Sequence, residues 1–316
     1  MSESIADLGE FGLIGQLTAG LAQGSAVSVG PGDDAAVFLV DNRAVSSIDV
    51  FVEGVHFRRD WSSAHDVGRK TVAAAVADIE AMGAAPVSLL AAFAAPSDLP
   101  AAWALELGAG LREECERAGV SLVGGDMSAS RDITVALAVV GELRGGDPVL
   151  RSGARPGDVV AYRGRLGWAA AGLAALRRGF RSPRAVVQAF QCPTPPYGAG
   201  IEAAAFGASA MIDTSDGLLA DLGHIACASG VLIDLAAAQL ETAEPIQAVA
   251  QATGRPPLEF VLSGGEDHAL AATFPYGQVP GGWTVIGRVA DPAGSPPTVL
   301  VDGQAWPGPA GWAHFG

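Results

Sequence analysis

Glycine and proline limit how long any regular element of this chain can be. With 42 glycines and 20 prolines among 316 residues, about a fifth of the positions either interrupt a helix or withhold a ladder hydrogen bond. The chain is cut into short, alternating strand-like and helix-like segments. The uncharged stretch 81–97 is broken by Gly83, Pro86 and Pro96 and is too short to span a bilayer. An apolar fraction of 49% suffices for substantial cores, and the length suits one large domain or two of about 150 residues.

The β-branched run at 44–52 predicts a strand, read as ending near Asp49. Residues 65–82 predict an alanine-rich helix, closed by Gly83 in a left-handed conformation and stopped by Pro86. A buried strand at 87–95 follows, then a helix at 100–118 opened by Pro100 and closed by Gly119. A short strand at 120–123 is expected to run out into Gly124-Gly125-Asp126, and 133–143 alternates as a further strand. The stretch Arg144-Gly145-Gly146-Asp147-Pro148 is the most linker-like, which sets expected domains at 1–145 and 146–316. In the second half, strands are expected at 159–162, 209–212, 231–235, 284–289 and 298–301, and helices at 168–178, 198–206 and 218–228. The expected class is α/β (α+β) in two domains.

Nineteen basic residues against 34 acidic ones give a net charge of −15. Such a surface repels polyanions, so nucleic acid and anionic membranes are not expected partners. A phosphorylated ligand would need metal ions or local basic groups to offset the repulsion. Lysine occurs only at Lys70, and without a Gly-Lys-Ser/Thr step there is no P-loop. Gly-x-Ser-x-Gly, His-Glu-x-x-His and Gly-x-Gly-x-x-Gly are also absent. Three cysteines (Cys115, Cys192, Cys227) are odd in number and widely spaced, and the N-terminus is acidic. Together these features predict a soluble cytoplasmic protein.

Aspartates beside glycines, at expected strand ends, carry the most chemical information: Gly32-Asp33-Asp34, Asp49, Gly124-Gly125-Asp126 and Asp213-Thr214-Ser215-Asp216-Gly217. Asp78 lies two helical turns from Lys70 on one face. Each step taken singly is ordinary turn and cap chemistry, and Ser263-Gly264-Gly265-Glu266-Asp267 reads equally as a helix entry. If several of these carboxylates converge, each close pair repels by about 4 kcal/mol at an effective dielectric of 20. Cations are then required, and an all-oxygen donor set points to magnesium.

In order along the chain stand Gly32-Asp33-Asp34-Ala35-Ala36, Asp49 with Glu53-Gly54-Val55-His56-Phe57, and Asp78-Ile79-Glu80-Ala81-Met82-Gly83-Ala84. Gly124-Gly125-Asp126, Ile212–Leu218 and Ser263–Asp267 follow. This succession resembles the thiamine-monophosphate kinase family, within the superfamily of aminoimidazole ribonucleotide synthetase and selenophosphate synthetase, and it extends over almost the whole chain to Gly311-Trp312. The resemblance implies phosphoryl transfer from ATP to thiamine monophosphate, giving thiamine diphosphate and ADP. It also implies an N-terminal mixed-sheet domain that binds ATP and magnesium and pairs with a second copy through a barrel-like interface, and a C-terminal α/β domain that completes the substrate site.

By the same resemblance Asp34, Ser47, Asp49, Asp78, Asp126, Asp213 and Asp216 are magnesium ligands, with Asp78, Asp126 and Asp213 catalytic. Gly125, Asp126, Arg151 and Ser215 contact the nucleotide; His56, Glu266 and Trp312 contact the acceptor. Trp312 has a second reading, as an aromatic plug in an apolar gap. The chain departs from the family pattern at Ile48, where a hydroxyl residue is common, and at Ala75-Val76-Ala77, where polar residues precede the aspartate. It departs again at His268-Ala269, in place of tyrosine and glutamate. The alternative function is a sister ATP-dependent synthetase of the aminoimidazole ribonucleotide type. The absence of cysteine before Cys115 and the ending His314-Phe315-Gly316 argue against the selenophosphate and hydrogenase-maturation branches.

Overall fold

The computed structural model describes residues 4–31 and 35–312, and of Glu10 and Phe11 the backbone alone. Two compact units emerge, one of residues 1–79 and 85–145, the other of 80–84 and 146–316. Both mix helices and strands, as the alternating segments predict.

The first unit opens with α1 (Ile5–Leu8), α2 (Glu10–Thr18) and a small ribbon of β1 (Val27–Val29) with β2 (Val37–Phe38). Then come β3 (Ala44–Val52), α3 (Ala64–Ala81), β4 (Ala85–Ala95), α4 (Ala101–Ala118), β5 (Ser121–Ala129) and β6 (Thr134–Glu142). These strands form a four-stranded sheet in the order β3-β6-β4-β5. The β4–α4–β5 crossover makes its one parallel pair, as a long connection requires. Strand β6 alternates strictly: Val135, Leu137 and Val139 are buried, one face of a period-two pattern. The chain leaves α3 through Gly83, whose φ of +71° suits a residue without Cβ.

Two expectations about the aspartates need correction. Asp49 does not end its strand but sits inside β3, paired with Leu137. Gly124-Gly125-Asp126 does not follow a strand either; it lies within β5. Glycine allows this because β5 runs hard against β4: an added Cβ at Gly125 would overlap the Ala91 carbonyl. The ladder shifts register between Leu89 and Leu90, so the glycines carry the strand through an irregularity instead of stopping it.

The second unit contains β7 (Val159–Arg163), α5 (Trp168–Arg177), α6 (Arg184–Gln191), α7 (Ala199–Ala205), β8 (Ala210–Asp213) and α8 (Leu218–Ser229). It continues with β9 (Leu232–Leu235), α9 (Glu244–Thr253), α10 (Pro257–Ser263), β10 (Leu270–Phe274), β11 (Thr284–Ala290) and β12 (Thr298–Val301). Its six-stranded sheet runs β12-β9-β11-β7-β10-β8. Strand β10 is buried throughout; Phe274 meets Trp283 edge-on at 5.3 Å, beside Met211 and Leu270 in one apolar cluster. Glu80, 2% exposed, accepts the backbone N–H groups of Gly198 and Gly200 at 2.8 and 2.9 Å. That fastens 80–84 to the start of α7. Among the described residues, no helix is long and apolar enough to cross a membrane.

Candidate functional site

In the second unit, segments far apart in sequence are bound into one acidic cluster. Strand β8 ends at Asp213, and Thr214-Ser215-Asp216-Gly217 leads into α8. The 264–269 segment lies alongside: Glu266 N–H donates to Ser215 O (2.8 Å), His268 N–H to Thr214 O (3.0 Å), and Thr214 N–H to Ala269 O (2.8 Å). The Thr214 hydroxyl accepts from Ala269 N–H at 3.1 Å. From the C-terminal side, Trp312 N–H donates to Asp216 O at 2.9 Å and Ala220 N–H to Ala310 O at 3.2 Å, while the Ser263 hydroxyl donates to Pro309 O.

Buried carboxylates hold this lacing in place. Asp267 accepts from Gly167 N–H (2.5 Å) and Ala169 N–H (2.8 Å) at the start of α5. Burial pushes its carboxyl up to about 7 against the pull of those N–H donors. On either side of it, Glu266 and His268 have φ of +67° and +51°, a left-handed backbone that costs a residue with Cβ roughly 1–2 kcal/mol. Asp221, in the first turn of α8, accepts from Asp216 N–H (3.2 Å) and Gly217 N–H (2.9 Å). Its carboxyl is also pushed up to about 7, by burial first and then by the negative charges of Asp213 and Asp216. Asp213 is 4% exposed, and His268 Nδ1 lies 3.2 Å from its Oδ2. Asp213 and Asp216, whose negative charges bear on Asp221, are oxygen donors of the kind that suit a hard divalent cation.

The first unit is organised more loosely. Ser47 donates to Asp78 Oδ2 at 2.5 Å, joining β3 to α3. His56 Nδ1 accepts from Val52 N–H at 3.1 Å, so a neutral ring carries its proton on Nε2; its carbonyl accepts from the buried Lys70 ammonium at 3.2 Å. Asp49 shares the face of Ser47. Across the sheet its row reads Leu137, Ala91, Gly125, whereas Asp126 stands in the row of Ala92, Ala136 and Val50. Asp126 therefore occupies the other face, on the edge strand opposite β3, about 14 Å away at three strand spacings. Asp34 lies outside the described residues. Among the described residues, no three acidic, histidine or cysteine side chains form a metal-holding group.

Other expected contacts fall as follows. Asp213, Ser215, Asp216, Glu266 and the Trp312 backbone belong to the laced cluster. Trp312 is 53% exposed, which does not fit an aromatic plug. Arg151 is exposed, and its carbonyl accepts from the Ser229 hydroxyl at 3.0 Å. Ile48, 67% exposed, does not share the Ser47–Asp49 face. The Ser263–Asp267 segment is a helix exit, after α10, and not a helix entry. Sequence reasoning missed Asp221, whose signal was an acid in a first helical turn. It also missed Asp267, whose partners are 98 and 100 residues away and leave no local signal.

The family model described as AIR synthase related protein, N-terminal domain, matches residues 32–143. Thiamine-monophosphate kinase of Mycobacterium tuberculosis (strain ATCC 25618 / H37Rv) is 50% identical over 317 residues, covering 100% of this chain and 94% of that protein. The Corynebacterium glutamicum protein of the same name is 38% identical, over 90% of this chain and 87% of its own. Among solved structures, AaThiL complexed with AMPPCP and TMP superposes with a TM-score of 0.80 at 32% identity, covering 98% of both chains.

Proposed function

This chain belongs to the thiamine-monophosphate kinase family, and we infer that it transfers the terminal phosphoryl group of ATP to thiamine monophosphate, giving thiamine diphosphate and ADP. Full-length similarity to proteins of that name carries the reading, and AaThiL, bound to AMPPCP and TMP, supports it. The laced acidic cluster of the second unit provides a rigid platform of the kind phosphoryl transfer asks for. That reaction needs alignment and charge neutralisation more than covalent chemistry from the protein.

In this reading Asp34, Ser47, Asp49, Asp78, Asp126, Asp213 and Asp216 hold magnesium. Bound there, magnesium would neutralise phosphate charge that a −15 chain otherwise repels. By the resemblance Asp78, Asp126 and Asp213 are the catalytic carboxylates. Gly125 offers a backbone without Cβ, Arg151 a fork of donors, and Ser215 a hydroxyl to the nucleotide. His56, Glu266 and Trp312 receive the acceptor, the half-exposed indole lying against the cationic thiazolium for about 0.5–2 kcal/mol. The acceptor phosphate is already ionised at neutral pH, so no general base is required.

We also assign a homodimer and a cytoplasmic location. Ile48, Val50 and Leu90, which are 67%, 49% and 45% exposed, share one face of the first unit's sheet. A second copy is the occupant that the resemblance implies for that face. The test is purified protein with ATP, magnesium and thiamine monophosphate, product identified by mass. Thiamine diphosphate is expected; its absence across varied monovalent salts overturns the reading.

A further inference from the structure

We propose that His268 is a positioning residue, holding the Asp213 carboxylate in the orientation that binds a divalent cation. This rests on the functional reading above only in taking Asp213 as a cation ligand. A carboxylate accepts and does not donate, so the 3.2 Å contact places a proton on His268 Nδ1, shared with Asp213 Oδ2. Both residues are buried, and the contact fixes the carboxylate plane. The negative charges of Asp213 and Asp216 both bear on Asp221 in the same cluster.

The backbone supplies an independent reason. His268 is held at φ +51° by its own N–H to Thr214 O and by the reciprocal bonds between Thr214 and Ala269. Glycine would make every one of those backbone bonds with less strain. What glycine lacks is the ring, and Asp213 is a partner of that ring. A left-handed conformation kept for a side chain, and over-determined by its neighbours, is the pattern of strain retained for use. Hydrogen-bonded supports of metal ligands typically matter about 10- to 100-fold in affinity.

The experiment uses the full chain and three variants, His268→Gly, His268→Asn and Asp213→Asn, with the double variant His268→Gly/Asp213→Asn. Mn2+ binding is measured by electron paramagnetic resonance in the presence of a non-hydrolysable ATP analogue, with circular dichroism as the check on folding. His268→Gly should bind Mn2+ about tenfold more weakly while keeping the parent's circular dichroism. Asparagine tolerates the left-handed backbone and retains a donor, so His268→Asn should recover part of the loss. On the Asp213→Asn background His268→Gly should add nothing. A folded His268→Gly protein that binds Mn2+ like the parent overturns the proposal; should glycine fail to fold, parent-like binding together with unchanged magnesium dependence in a variant lacking any ring donor, His268→Leu, does the same. A parent that binds Mn2+ but makes no thiamine diphosphate would defeat the functional reading and leave this one standing.

Discussion

In the second unit, Asp213, Asp216 and Glu266 sit on backbone that is cross-tied from three directions: by 264–269, by 309–312 and by the Asp221 carboxylate. In the first unit, Asp49 and Asp126 lie on opposite faces and opposite edges of an open sheet, and Ser47 donates to Asp78. One unit organises its polar groups with its own hydrogen bonds. The other displays Asp49 and Asp126 on a regular lattice, where strand register dictates spacing. Acidic groups arranged the second way keep the spacing the backbone gives them, so removing one carboxylate should disturb the fold of the first unit less than that of the second.

The largest effect expected from that contrast is on turnover. Asp213→Asn and Asp126→Asn should each lower kcat at least about tenfold, 1.4 kcal/mol, with the fold retained by circular dichroism. Near-parent activity in both would remove the metal assignments. Next in size is stability: Asp267→Ala strands two buried N–H groups at the start of α5. It should cost about 2–4 kcal/mol at roughly 1–2 for each in urea unfolding, whereas Asp126→Ala, on the exposed edge, should cost little. Equal costs would erase the distinction between tied and displayed carboxylates.

A pH effect comes third. Asp267 titrates near 3.8 when unfolded and near 7 in the fold, so between those values the folded chain keeps a proton that the unfolded chain has released. Its contribution therefore favours folding at low pH and is lost as pH rises through 7. Asp267→Asn should narrow the difference in Tm between pH 5 and pH 8; an unchanged difference would refute the assignment. Smallest is Trp312→Ala, expected to raise KM for thiamine monophosphate by a few-fold, in line with about 0.5–2 kcal/mol, with KM for ATP unmoved. A parent-like acceptor KM would overturn the acceptor contact assigned to Trp312.

How much of this was legible in sequence depended on whether the cause was local. Helix α4 was readable from Pro100 and Gly119, and the turn from β8 into α8 from its Asp-Gly ending. Strand β10 was not, because Leu270-Ala271-Ala272-Thr273-Phe274 is rich in alanine, a poor strand former; the strand exists because both neighbours, β7 and β8, pair with it. Helix α9 offered Ile246, Val249 and Ala250 at helical spacing, a signal present but unread. The passage of β5 through two glycines could not be seen, since the residue that makes glycine necessary, Ala91, lies on another strand. Motif order marked the acidic segments correctly, yet the ties among 213–217, 264–269 and 309–312 are all tertiary.

Glu266 and His268 both occupy backbone that glycine would adopt more cheaply. Anyone selecting this protein for heat resistance from a random library should thus expect Glu266→Gly, which removes no buried side chain, to survive the screen. Such a clone would keep its fold and, by the role given to that side chain, be poorer at its chemistry. Thermal screening alone would steer an engineer away from the activity it was meant to preserve.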